Sequence, residues 1–296
     1  MGIGTELSLR AGNLRLELSS SIGGAIAAFE WVDEGQSRPI MRRCHRPLEK
    51  ILDAPSFPLV PYVNRIRDGQ FTFRGREVRI APNMAGDPSP LRGQGWLNAW
   101  EIEESSDCHA VLSFRHEAGE WPWAYEARQH FSLDEHGLTL VLTCGNLSNE
   151  PMPCGLGQHP YFPCGPETQI DTEVTSAWTI DDKVLPIDKV PAQGRYYLHN
   201  RHVCGQSLDN GFGGWGGEAR MVDPDWPYEI RLASPDAHFF QLYSPSEGGI
   251  FVAEPVTHAN AALNAPEQQW PELGMRVLEH GQKMSLTMRI DVTPSG

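Results

Sequence analysis

Two residues of this chain combine the right side chain with the right setting for proton transfer. His159 stands in Gly157-Gln158-His159-Pro160-Tyr161-Phe162, between glycines and an aromatic pair. Imidazole is the side chain best matched to proton transfer near neutral pH. Glu254 closes an apolar, strand-like run, Gly249 to Ala253. A carboxylate there needs a partner if it is buried, and partial burial would raise its pKa towards that of a useful base. Arg65, within Pro61 to Arg67, offers a planar fork of donors suited to carboxylates or paired hydroxyls. Asp209, within Ser207 to Asn210, offers acceptors to hydroxyl groups. Taken singly, each has a plainer reading: a structural histidine, a carboxylate in an ion pair, a solvated Arg or Asp.

The elements that must carry these residues follow from a period of two. Leu14, Leu16 and Leu18 alternate with polar residues. So do Phe71-Thr72-Phe73 and Val78-Arg79-Ile80, with Arg74-Gly75-Arg76 expected as a hairpin turn. Met284, Leu286, Met288, Ile290 and Val292 share one face near the C-terminus, and Leu138 to Leu142 reads as a more buried strand. Alternation of this kind marks half-buried antiparallel strands. Helical periodicity is weak, and 29 Gly and 24 Pro punctuate the chain at short intervals. Both residues are costly inside helices, which favours many short strands and long loops. No fixed-period repeat, linker or charge run divides the sequence. We therefore expect one all-β domain over residues 1–296, a large antiparallel β-sandwich of two packed sheets. Pro82 to Gly95 reads as a loop. Asn210 to Gly217, nearly all glycine around Phe212 and Trp215, fits either a flexible lid or a bulky turn.

Composition narrows the function classes. The formal net charge of -14 argues against a nucleic-acid surface, which needs clustered Lys and Arg. It does not exclude a small anionic substrate, for which one local arginine cluster suffices. None of the six cysteines has C-x-x-C spacing, so zinc-ribbon and thioredoxin-like readings fail. Reduced, mostly buried thiols are expected. Met1 to Gly12 lacks the charge and apolar pattern of a signal peptide. No apolar run approaches the ~20 residues of a membrane helix. The expected location is the cytoplasm, away from membranes, as a monomer or a homodimer. Trp96, Trp100, Trp121, Trp123, Trp215 and Trp226 fall in or near loops; most should be structural, since tryptophan is highly buried on average.

Taken in order, several segments resemble the aldose 1-epimerase (galactose mutarotase) family, and the resemblance spans almost the whole chain. Phe57 to Pro61 with Asn64-Arg65-Ile66 resembles its first substrate-binding segment. Leu91-Arg92-Gly93 to Trp96, followed by Trp100, resembles a segment usually read as leucine-histidine-glycine ending in tryptophan. Gly157 to Phe162 resembles the stretch holding the catalytic histidine, and Leu208-Asp209 the segment of the binding aspartate. Ala253-Glu254-Pro255, with Ala262-Leu263-Asn264 after it, resembles the stretch holding the catalytic glutamate. The resemblance implies a galactose mutarotase-like supersandwich with the site in a shallow groove, a sugar substrate, and neither metal nor organic cofactor.

It also implies a chemistry. Mutarotation interconverts α and β anomers of a cyclic aldose by ring opening, rotation and reclosure. Glu254 would take the anomeric hydroxyl proton while His159 protonates the ring oxygen, the two acting from opposite sides of the hemiacetal. Asn64, Arg65, Tyr161 and Asp209 would orient the sugar. The departure is Arg92, where the family usually has histidine beside the ring oxygen and C6. Arginine is a poor proton donor but suits carboxylate, phosphate or sulfonate. With Gln158 as a further polar group nearby, it points to a sugar charged at or near C6, such as sulfoquinovose. The competing readings are a hexose-6-phosphate 1-epimerase, a non-catalytic sugar-binding sandwich, and a two-carboxylate glycosidase.

Overall fold

In the structure, a computed structural model, residues 6–295 are described; of the stretch Met1 to Gly12 read for a signal peptide, the first five residues lie outside that range. The described residues form strands and six short 3-10 turns. No helix among the described residues is long and apolar enough to cross a membrane.

Two large sheets dominate. One has nine strands; its middle strand is Lys283–Pro294, paired with Gly137–Asn146, which forms a hairpin with Tyr125–Asp134. The other runs in the order Pro186–Pro191, Ser176–Ile180, Leu208–Gly213, Phe239–Ser244, Ile250–Val256, Gly157–Gln158 and Pro58–Leu59, with Tyr161–Pro163 also paired to Ile250–Val256. Glu6–Ala11, Leu14–Ser19, Ala25–Asp33 and Gln36–Pro39 form a third sheet of four strands. All strand pairs in these sheets are antiparallel. The hairpin expected around Arg74 forms as Gln70–Phe73 and Arg76–Arg79; Arg76 belongs to the second strand rather than to the turn.

Alternation decides which residues hold the sheets together. Phe131, Leu140, Leu286 and Met288 from the nine-stranded sheet join Phe212, Phe240, Leu242 and Phe251 from the other in one buried cluster. Burying each such side chain is worth about 1.5–3 kcal/mol. The intervening residues of the second sheet, including Asp209, Gln241, Val252 and Glu254, therefore point to its other face. A second cluster covers part of that face, with Phe57, Leu59, Trp96, Tyr161, Phe239 and Val252. The site is built there.

The same alternation settles Asn210 to Gly217. Its first half is the end of the strand Leu208–Gly213, with Phe212 buried in the inter-sheet core and Trp215 stacked on Phe240. It is not a lid. Gly211 and Gly213 lie on the opposite face, where a Cβ at Gly213 would sit 3.0 Å from the Trp178 ring. The missing side chains give Trp178 its place across the sheet. The expectation of reduced thiols also needs correction. Cys164 and Cys204 are joined as a disulfide, with Cα atoms 5.7 Å apart. Cys144 and Cys154 are buried and free, Cys44 is half-buried and Cys108 is exposed. Compact spacing in sequence was the wrong guide, because these two cysteines are 40 residues apart and meet only through sheet packing.

Candidate active site

His159 lies between two short strands that both pair with Ile250–Val256. Glu254 sits on that shared partner, so strand register sets the two side by side. His159 Nε2 is 3.2 Å from Glu254 Oε1, and both side chains are almost wholly buried. The imidazole is held in an aromatic column. Phe57 stacks on it at 4.6 Å with an 18° interplanar angle, and Trp96 stacks on Phe57 at 5.5 Å. Tyr161 lies against it at 4.7 Å and 6.5 Å from Phe57, beside the column rather than continuing it. The Arg42 guanidinium caps Tyr161 at 3.5 Å, anchored by the carbonyls of Leu52 and Ala54.

Further along the sheet, Glu254 stands opposite Gln241, and Gln241 opposite Gly211. Gln241 donates from Nε2 to Asp209 Oδ1 at 2.8 Å. Gln241 Oε1 and Glu254 Oε2 are buried acceptors without a protein partner among the described residues. Buried acceptors normally find donors, so a strip of this kind suits a ligand rich in hydroxyls. Trp178 flanks it beyond Gly211, with Lys189 Nζ 5.4 Å from its ring.

A wall of loops closes the other edge. Three side chains of the segment after Glu254 catch three alternate backbone N–H groups: His258 Nε2 accepts from Val63 at 3.0 Å, Asn260 Oδ1 from Arg65 at 3.0 Å, and Asn264 Oδ1 from Arg67 at 2.7 Å. Asn64 is buried in this clasp with a positive φ of 52°, and its carbonyl accepts the Arg92 N–H at 2.9 Å. Arg65 is aimed by Asp87, which accepts from its Nε at 2.9 Å. Arg92 also has a positive φ, 64°. It precedes Gly93, where a Cβ would sit 2.0 Å from the Val60 carbonyl, so only glycine fits. The Arg92 side chain reaches His159, with Nη2 3.0 Å from Nε2.

Electrostatics at the pair are opposed. Burial pushes the Glu254 carboxyl up to about 8; Arg92 and Arg65 work against this and Asp209 adds to it. Burial pushes the His159 imidazole well below its ordinary value, helped by Arg92 and Arg42. Asp209 is raised by burial, partly offset by Arg65. The low-dielectric setting thus disfavours charge on both members of the pair.

Asn64, Arg65, Arg92, His159, Tyr161, Asp209 and Glu254 are brought together in this cluster, but two expectations change. Glu254 and His159 stand on one wall rather than on opposite sides. That suits the chemistry, because the anomeric and ring oxygens are both bonded to C1. Gln158 faces away from this cluster. It is one residue from His159 on an extended chain and points inward, donating to Gln129 Oε1 at 3.2 Å. Tyr161 has a further part: its ring touches both His159 and the Arg42 guanidinium, so it supports the imidazole. The loop tryptophans are structural, with Trp96 Nε1 donating to Leu91 and Gly93 carbonyls and Trp100 Nε1 to that of Gly95. Residues that sequence reasoning missed are Gln241, His258, Asn260, Asp87, Arg42 and Trp178. Only Gln241 had a usable signal: it is a polar residue at the centre of an apolar run, Phe239 to Tyr243. Among the described residues, no group of three or more His, Cys, Asp or Glu is placed to hold a metal.

The family model described as aldose 1-epimerase matches residues 6–291. The chain belongs to the aldose 1-epimerase family. A crystal structure of a putative aldose 1-epimerase from Escherichia coli K12 superposes with a TM-score of 0.89 at 30% identity, covering 98% of this chain and 99% of that one. The uncharacterized protein YphB of Escherichia coli (strain K12) is 33% identical over 277 residues, 89% of this chain and 91% of its own length. The aldose 1-epimerase of the same organism is 22% identical over 212 residues, 66% of this chain and 59% of that enzyme. The family's β-sandwich is therefore the fold seen here.

Proposed function

We propose that this chain is a mutarotase that interconverts the α and β anomers of a free aldohexose. The observation that carries this reading is the buried contact between His159 and Glu254 on a sheet face that also carries the unpartnered acceptors Gln241 Oε1 and Glu254 Oε2. In the working state Glu254 takes the proton of the anomeric hydroxyl and His159 supplies one to the ring oxygen. The C1–O bond of the ring breaks as the carbonyl forms; reclosure on the other face reverses each transfer. Asp209, Gln241 and Arg65 hold hydroxyls, and the Asn64 loop shapes the wall. Neither a covalent intermediate nor a metal is required, since positioned acid–base groups each contribute ~10²–10⁴-fold.

We further propose that the sugar carries an anionic group at or near C6, with sulfoquinovose as the leading case. Arg92 supports this. Arg65 is paired with Asp87, whereas among the described residues no carboxylate lies within 4.0 Å of the Arg92 guanidinium. Guanidinium groups favour bidentate bonds to carboxylate, phosphate and sulfonate. The test is anomer exchange by NMR with glucose, galactose, glucuronate, glucose 6-phosphate and sulfoquinovose at equal concentration. We expect acceleration over the uncatalysed rate, greatest with a 6-charged sugar. A best rate with glucose 6-phosphate alone would make the protein a hexose-6-phosphate 1-epimerase. Equal rates with neutral sugars would overturn the anion reading, and no acceleration with any sugar would overturn the activity.

A further inference from the structure

The hydrogen-bond chemistry of one nitrogen, His159 Nε2, sets the state of the whole site. Arginine has donors only and keeps its charge. Arg92 Nη2 lies 3.0 Å from Nε2, so that contact is bonding only if Nε2 is bare. Glu254 Oε1 lies 3.2 Å from the same nitrogen. A bare Nε2 cannot donate to it, so this second contact is bonding only if Glu254 carries a proton. With Nε2 bare, a neutral imidazole carries its proton on Nδ1, which is buried beside its own residue's backbone. Both contacts are attractive in one arrangement only, in which the two donors share the single Nε2 lone pair: neutral His159 protonated at Nδ1, and protonated Glu254.

That arrangement cannot begin the reaction described above, which needs a proton on Nε2 and a carboxylate at Glu254. We propose that Arg92 is a clamp that holds the acid–base pair in this resting state, and that the anionic group of the substrate releases it by drawing the guanidinium away from Nε2. The inference rests on the mutarotase reading and extends it, because it makes the charge on the sugar a condition for turnover as well as for binding. Arg92 belongs in this account as a positioning and specificity residue.

The surroundings favour such a clamp. His159 faces Arg92, Glu254, the Tyr161 ring, and Arg42 across that ring; both arginines oppose an imidazolium. Glu254 faces His159, Arg92 and Arg65, with Asp209 as the like charge. The guanidinium is free to leave, since its sole hydrogen-bond partner among the described residues is a neutral ring nitrogen. Its carbon lies 5.4 Å from both the Phe57 and Trp96 ring centroids, so flat aromatic faces rather than a carboxylate guide it. An anion offers the guanidinium a charged acceptor and a second, parallel bond in place of one contact to a neutral nitrogen, which favours the exchange. The protons balance. On release the Glu254 proton passes to Nε2. The anomeric hydroxyl then protonates Glu254, and Nε2 protonates the ring oxygen as the C1–O ring bond breaks and the carbonyl forms. Reclosure returns each proton.

The test is ¹⁵N NMR of the histidine-labelled full chain, with the His159 signals assigned by their loss in His159→Asn. In the free protein near pH 7 we expect Nδ1 protonated and Nε2 bare; sulfoquinovose or glucuronate should protonate Nε2, while glucose should not. Arg92→Met should release the clamp without an anion, raising kcat on glucose while raising KM for the 6-charged sugar about tenfold or more, the loss of one charge-assisted bond. Arg92→Lys should keep the clamp and lose the fork, so KM rises and glucose kcat does not. A protonated Nε2 in the free wild type overturns the clamp without any variant having to fold. So does an anion that leaves Nε2 bare, or a uniform fall of kcat on both sugars in Arg92→Met. If no sugar is turned over by any form, the mutarotase reading fails, while the free-protein spectrum still decides the tautomer.

Discussion

His159 Nε2 and Glu254 Oε1 face each other at 3.2 Å inside the protein, beside a cation. A pair this close and this buried shares protons and titrates as a unit. With the Glu254 carboxyl raised to about 8 and the imidazole pushed well below its ordinary value, the pair holds one titratable proton across the neutral range. We expect kcat/KM for anomer exchange to be flat near neutrality. It should fall above about pH 8, where that proton is lost, and fall in acid only below the ordinary histidine range, where a second is gained. Exchange rates measured from pH 4 to pH 10 check this. A single rise centred near the ordinary carboxylate value would contradict it.

Asp209 supplies part of the field that lifts Glu254. Asp209→Asn removes a like charge, so the alkaline limb should move to lower pH. KM should rise by about tenfold, through loss of a charged acceptor for a hydroxyl. Gln241→Leu removes the donor to Asp209 Oδ1, so it should raise KM without that displacement of the limb. The two pH profiles, compared with wild type, separate the roles.

His258 links site and stability. It is neutral in the fold, accepting from Val63 N–H through Nε2 and donating from Nδ1 to the Ala259 carbonyl at 2.8 Å. Burial pushes its pKa down from 6.5 to about 4. The unfolded chain therefore binds the extra proton first. This contribution is fully present above about pH 6.5 and is lost as pH falls towards 4, amounting to about 3 kcal/mol. The raised Glu254 carboxyl acts in the opposite sense: its contribution is present below about 4.5 and is lost as pH rises through 8. Urea unfolding of wild type and His258→Ala at pH 7.5 and pH 5 reads the difference. The variant should be less stable at pH 7.5 by about 1–3 kcal/mol, for a buried N–H left unpaired, and should lose less on acidification.

The Cys164–Cys204 bond closes a stretch of 40 residues that runs up to the strand carrying Asp209. Denaturing alkylation without reductant should label the four other cysteines, and after reduction all six. Reduction should destabilise the fold by about 4 kcal/mol on the loop-entropy estimate. Six labelled cysteines before reduction in freshly purified protein would contradict the bond.

Much of this was legible in the sequence, for a local reason. Period-two alternation is written into successive residues, so Leu14 to Leu18 and Met284 to Val292 declared their strands. The motifs around His159 and Glu254 are continuous stretches that could be read whole. What could not be read depends on contacts distant in sequence. His258 meets Val63 and Asn260 meets Arg65 across 195 residues. Gln241 reaches Asp209 only because their strands pair. Gln158 was misplaced because its direction depends on the parity set by its neighbour His159. The glycines of Asn210 to Gly217 left a flexible lid and a bulky turn equally open, yet two of them are where Trp178 crosses a packed strand.

The central claim is that His159 and Glu254 together move the protons of ring opening. Its most direct measurement is the anomer exchange rate, by NMR on the sugar the wild type turns over fastest, for Glu254→Gln and His159→Asn. Thermal unfolding serves as the control for folding. We expect each variant to fold and to lose ~10²–10⁴-fold in enzymatic exchange. A folded variant of either kind that exchanges anomers at close to the wild-type rate would contradict the account.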